Sequence, residues 1–195
     1  MKLSAFLAAC LLAVAVALPA AATQIHYGAV LSGPSEFPAN ASPGVGTALI
    51  TIDSSLLTMR VQASFSGLGG TTTASHIHCC TTVPFTANAG VATMVPSFAG
   101  FPLGVMSGIY DNTFDMTLAA SYNPAFVTAQ GGTVPGAFNA LVAGLNGGNA
   151  YFNIHTQTFP GGEIRGFLTP VPEPGSLVLL TTGLLVARRR LIKGS

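Results

Sequence analysis

Charge is what this chain has least of. Only 7% of its 195 residues are Asp, Glu, Lys or Arg, where a soluble domain ordinarily carries about 25%. A charge-rich disordered segment is therefore excluded, and so is an ordinary cytosolic enzyme surface. Tryptophan is absent, which removes the broadest aromatic platform available to a binding surface. The two lysines, Lys2 and Lys193, lie at the extremes of the chain. The intervening body, Thr23 to Pro170, has only Arg60 and Arg165 against Glu36, Asp53, Asp111, Asp115 and Glu163, a net charge of −3. Such a body has too few cations to neutralise a run of phosphates, so nucleic-acid binding and polybasic attachment to anionic lipid are excluded. Lysine-dependent chemistry is excluded within it for the same reason. No G-x-S-x-G, H-E-x-x-H or dinucleotide-type glycine motif occurs in a suitable setting, and the expectation is a non-enzymatic protein without a cofactor. With 18 threonines in the body, hydroxyl groups do much of the solvating.

The hydrophobic residues concentrate at the two ends. Residues 1–22 open with Met1-Lys2, run apolar from Ala5 to Leu18 and close on Pro19-Ala20-Ala21-Ala22. One positive charge, a short apolar stretch and an A-x-A exit make a secretory signal peptide, with cleavage expected after Ala22. Residues 171–195 run Val171-Pro172-Glu173-Pro174-Gly175, then an almost wholly apolar segment from Ser176 to Ala187, then Arg188-Arg189-Arg190. A helix over that segment spans about 18 Å, short of a hydrocarbon core of about 30 Å but extended by the arginine stems. This ordered end resembles the PEP-CTERM sorting signal of Gram-negative bacteria: Pro172, Glu173 and Pro174 as the motif, a short transmembrane helix, and Arg188, Arg189 and Arg190 as the basic cluster. The resemblance implies export, contact with the membrane through this segment before processing, and recognition by a membrane processing enzyme of the exosortase type. It also implies a destination in the cell envelope, outer surface or extracellular matrix, with exopolysaccharide or other surface components as possible partners.

Between the ends, the periodicity is that of strands. Leu57, Met59, Val61, Ala63 and Phe65 alternate with Thr58, Arg60, Gln62 and Ser64, the pattern of a half-buried strand. Comparable stretches lie near 25–31, 47–53, 74–78, 105–110, 114–118, 150–155 and 163–168. Turn signals separate them, among them Pro43-Gly44, Asp53-Ser54-Ser55, Asp111-Asn112, Asn146-Gly147-Gly148 and Pro160-Gly161-Gly162. This predicts one all-β domain over residues 23–170, an antiparallel sandwich of Ig-like or Greek-key type, with room for one short helix over 135–145.

Three segments stand out from that background: Tyr27 to Pro38, with Leu31-Ser32-Gly33 and Glu36-Phe37-Pro38; Ala74-Ser75-His76-Ile77-His78; and Tyr151-Phe152-Asn153-Ile154-His155-Thr156 running into Pro160-Gly161-Gly162-Glu163-Ile164-Arg165-Gly166. In this order they resemble the CHRD domain, a module of secreted animal and bacterial proteins. That resemblance implies an extracellular β-rich module acting by binding or as a structural component, and it implies no reaction.

The residues allow a sharper alternative. Successive strand side chains alternate faces, so His76 and His78 point the same way about 6.6 Å apart. Tyr151, Asn153 and His155 share a face, as do Glu163 and Arg165. If these strands are neighbours, His76, His78, His155 and Glu163 form a ligand set for zinc or copper. The competing reading is a hydrogen-bonded polar layer, with Glu163 paired to Arg165 or to a histidine. Cys79 and Cys80 are adjacent, and neighbouring Cα atoms about 3.8 Å apart fall below the usual disulfide range. A strained Cys79–Cys80 disulfide, free thiols, an interchain bridge and soft ligation beside His76 and His78 all remain open.

Overall fold

The computed structural model describes residues 24–171. The signal peptide expected over 1–22 and the sorting residues Pro172, Glu173, Pro174, Arg188, Arg189 and Arg190, with their apolar segment, lie outside the described residues. Among the described residues, no helix is long and apolar enough to cross a membrane.

The expected all-β antiparallel architecture is present. Eight strands form one sheet: β1 (Gln24–Ser32), β2 (Val45–Asp53), β3 (Thr58–Ser66), β4 (Thr72–Cys79), β5 (Gly108–Asp115), β6 (Ala150–Thr156), β7 (Ile164–Phe167) and β8 (Thr169–Val171). Their order is β4-β6-β7-β1-β2-β3-β5, with β8 pairing β1. The sheet curls as a half barrel, and its core face is closed by Phe98, whose ring meets Phe152 of β6 and Phe114 of β5 from a long connection between β4 and β5.

The half containing β1, β2, β3 and β5 follows the alternation seen in the sequence. Tyr27, Leu31, Ala48, Ile50, Ile52, Met59, Val61, Ala63 and Phe65 are buried, while their strand neighbours, Asp53 apart, are partly or fully exposed. The Asp53 carboxylate closes the β2–β3 turn by accepting from the backbone N–H groups of Ser55 and Leu56. Asp111 and Asn112 do not form the expected turn. They lie inside β5, where Asp111, opposite Gln62, reaches diagonally to Arg60 in a two-point ion pair. Cross-strand pairing of that kind overrides a turn preference that is only local.

Two helices fill the connection from β5 to β6: α1 (Pro124–Ala129) and α2 (Val134–Asn146). Each has proline in its first turn and a side-chain cap, Asn123 Oδ1 accepting from Ala125 N–H and Thr133 Oγ1 from Gly136 N–H, the preferred chemistry for helix starts. The apolar stripe Ala137, Phe138, Leu141 and Leu145 turns α2 onto the core. At Gly144 the helix backbone approaches the end of β4 so closely that a Cβ there would stand 2.7 Å from Cys80 Sγ.

On β4, β6 and β7 the alternation disappears because both faces are covered. All of β6 except His155 is buried. Its core face carries Ala150, Phe152, Ile154 and Thr156, and its opposite face carries Tyr151, Asn153 and His155. Loops fold over that second face, and the polar residues of the domain collect beneath them.

Candidate metal centre

The register of β4, β6 and β7 sets the plan of this covered face. His78 lies opposite Tyr151, which lies opposite Phe167; His76 lies opposite Asn153, which lies opposite Arg165. His155 follows Asn153 on the same face of β6. The three imidazoles therefore gather around Asn153, with ring centroids 5.3 to 5.7 Å apart.

Each imidazole is fixed by a backbone carbonyl. His76 Nε2 meets Pro96 O at 2.7 Å, His78 Nδ1 meets Ala89 O at 2.9 Å, and His155 Nδ1 meets Pro160 O at 3.0 Å. A carbonyl only accepts, so each of those nitrogens carries the proton and the other nitrogen of a neutral ring carries a lone pair. Those remaining nitrogens, His76 Nδ1, His78 Nε2 and His155 Nε2, are buried and have no partner. The three residues bring ligand atoms within 4.8 Å of one another. Donors of a tetrahedral centre with bonds of 2.0 to 2.1 Å stand about 3.3 Å apart, so the widest pair must close by about 1.5 Å.

Burial also sets the protonation state. It lowers the pKa of all three histidines, and that of His78 to about 4, with His155, His76 and Arg165 adding repulsion. At neutral pH the rings are uncharged, the form that ligates a metal. Carbonyl partners on the remote ring nitrogens are the outer-shell contacts that orient histidine ligands.

Tyr151 packs beside the cluster, its ring parallel to His78 at 4.8 Å, with the Arg165 guanidinium 4.6 Å from its centroid. Arg165 is buried and donates to Ser35 O, Ala87 O and Asn88 Oδ1. Glu36 is its ionic neighbour at 3.8 Å. Burial raises the Glu36 pKa to about 7 against the opposing pull of Arg165.

Three of the candidates lie elsewhere. Glu163 does not join the histidines or pair with Arg165. It precedes β7, and its carboxylate is buried in a separate network, accepting from Ser42 Oγ at 2.6 Å, Thr156 Oγ1 at 2.6 Å and Gly69 N–H. The shared face expected of Glu163 and Arg165 requires regular strand backbone through both, and β7 begins at Ile164. Cys79 and Cys80 are bonded to each other. Their sulfurs face α2 at Gly144 on the core side, so they take no part in the histidine cluster. Glu36 and Asn153 are site residues to which the sequence assigned no role; the Tyr151-x-Asn153-x-His155 alternation was the available signal for Asn153.

The fold and this covered polar face define an antiparallel β domain with a buried three-histidine cluster. A family model for the CHRD domain matches residues 27–168, and the chain belongs to that family. The PEP-CTERM protein-sorting motif matches residues 170–190, which marks an exported protein handled by exosortase-type sorting. No curated protein and no solved structure matches the chain.

Proposed function

We propose that this CHRD protein, once exported, is retained in the cell envelope or at the outer surface and acts by binding, and that its binding centre is a transition-metal site formed by His76, His78 and His155. One observation carries the reading: three neutral imidazoles, each tethered by one nitrogen to a carbonyl, keep an unpartnered buried lone pair on the other, and the cluster brings one ligand atom of each within 4.8 Å of the rest. A buried acceptor without a donor costs about 1–3 kcal/mol, and a cation relieves all three at once. An all-imidazole set suits zinc or copper better than calcium or magnesium, which take oxygen.

Elemental analysis of the exported protein tests this directly. About one zinc or copper ion per chain is expected, lost on His78→Ala and on the triple alanine variant of His76, His78 and His155. Absence of stoichiometric metal from the native protein, or its retention by the triple variant, rejects the site and leaves the reading of a metal-free surface or matrix component.

A further inference from the structure

Five buried side-chain atoms among the described residues lack a hydrogen-bond partner. Three are the imidazole nitrogens, and the other two are Asn153 Oδ1 and Glu36 Oε1. Both oxygens belong to the same patch. Asn153 faces His76 across the β4–β6 pair and Arg165 across the β6–β7 pair, so its amide borders the imidazoles on one side and the Glu36–Arg165 pair on the other. Gly162 joins the two oxygens spatially. A Cβ on it would stand 2.6 Å from Asn153 Nδ2, 2.8 Å from Glu36 Oε1 and 2.9 Å from Asn153 Oδ1, which puts the two oxygens no more than 5.7 Å apart, with the amide nitrogen beside them. A single small molecule with two hydrogens spans that gap, since each O–H···O bond is about 2.7–2.8 Å long.

The surrounding groups narrow what such a molecule can be. Asn153 Oδ1 accepts, and so does Glu36 Oε1 whenever its carboxyl is ionised or carries its proton on Oε2; a ligand without hydrogens satisfies neither in those forms. A second cation is opposed by Arg165. Direct coordination by Asn153 Oδ1 would leave Glu36 Oε1 still unsatisfied. Asn153, His76, His78 and Glu36 are each at most 8% exposed, so a ligand bridging the two oxygens is enclosed by the protein.

We propose that the metal held by His76, His78 and His155 keeps its fourth coordination position for an exogenous small protic ligand of the class of water or hydroxylamine, whose hydrogens are received by Asn153 Oδ1 and Glu36 Oε1. The inference rests on the metal reading above and adds a ligand class to it. Three protein ligands with one open position are the arrangement of exchangeable metal centres, whereas purely structural sites are closed by four. Asn153 and Glu36 act here as specificity residues for the fourth ligand without binding the metal.

The test uses full-chain protein loaded with Co(II), whose visible bands report on its coordination. Hydroxylamine and azide are titrated separately near neutral pH, where hydroxylamine is uncharged. Hydroxylamine is expected to shift the bands at a concentration at least tenfold lower than azide. Glu36→Gln, which presents amide donors in the same shape, and Asn153→Leu are each expected to abolish most of that tenfold preference, while Asn153→Asp retains it. Should Asn153→Leu fail to fold, Glu36→Gln decides alone. Bands that respond to neither ligand mean a closed centre, and a preference unchanged in Glu36→Gln means that the oxygens face elsewhere; either result overturns the inference but leaves the metal site standing. Failure of cobalt to bind, together with absence of metal from the exported protein, removes the site itself.

Discussion

Metal should stabilise the folded chain by an amount that follows from the site. The three unpartnered nitrogens meet only when β4 and β6 are paired, so the folded state binds far better than the unfolded one. For a ligand of the native state at 100 times its dissociation constant, the gain is about 2.7 kcal/mol. Unfolding entropy near 60 °C is about 2.1 cal/mol/K per residue; over residues 24–171 that amounts to about 0.3 kcal/mol/K. The midpoint should rise by about 9 °C. This is an upper value, because the unfolded chain keeps the His76-x-His78 pair and retains some affinity. Differential scanning calorimetry of chelator-treated protein, with and without zinc, reads the shift, and His78→Ala and the triple alanine variant supply the comparison. A midpoint unmoved by saturating zinc, or a shift that survives in the triple variant, refutes the reasoning.

Further outcomes follow from neighbouring groups. In metal-free protein, burial lowers the His78 pKa from 6.5 to about 4, so the stability it contributes is present above pH 6.5 and is lost as pH falls toward 4, about 3 kcal/mol in all. Glu36, raised from 4.5 to about 7, acts in the opposite sense: its contribution is present below pH 4.5 and is lost as pH rises toward 7. Urea unfolding from pH 4.5 to 6.5 should therefore show stability rising with pH, and rising more steeply in Glu36→Gln, which lacks the opposing carboxyl, than in the wild type; equal slopes in the two would contradict the assignment. His76, His155, Arg165 and Tyr151 face the same region and are unchanged in that variant. Glu163→Ala removes the acceptor of three hydrogen bonds and should cost about 4 kcal/mol in unfolding experiments while leaving metal stoichiometry intact; loss of metal with stability preserved would make Glu163 a ligand. Gly144→Val places a side chain against the Cys79 and Cys80 sulfurs and should lower the midpoint by several degrees in thermal melts, whereas the same change at the open Gly90 should leave it nearly unmoved. Deleting residues 171–195 should change where the protein accumulates, and unchanged distribution on cell fractionation would contradict a sorting role.

The strands were legible where one face meets water. The alternation read over 57–65 becomes β3, and the stretches near 25–31 and 47–53 become β1 and β2 with ends shifted by a residue or two. The short helix anticipated over 135–145 is α2, but α1 escaped notice because six residues carry too little periodicity to register. The H-x-H spacing and the Tyr151, Asn153, His155 alternation correctly placed three histidines on one face. Their convergence depended on β4 and β6 being neighbours, a long-range fact no local pattern contains. Glu163 was misplaced because alternation was extended one residue beyond the start of β7. The carbonyls of Ala89, Pro96 and Pro160 were invisible in principle, since a backbone acceptor has no residue type to announce it.

Those three carbonyls give the site a chronology. His78 and His155 are 77 positions apart in the chain, and the groups that fix their tautomers come from two further loops. A chain that has not finished folding owns only a bare His-x-His pair, which grips metal weakly. If the proposed site holds metal, commitment to a particular ion is deferred until the domain has closed, and a chain that folds after export takes its ion from the pool outside the cytoplasm. Zinc or copper supply in that compartment would then govern how much of the protein is loaded, whatever the cell holds within.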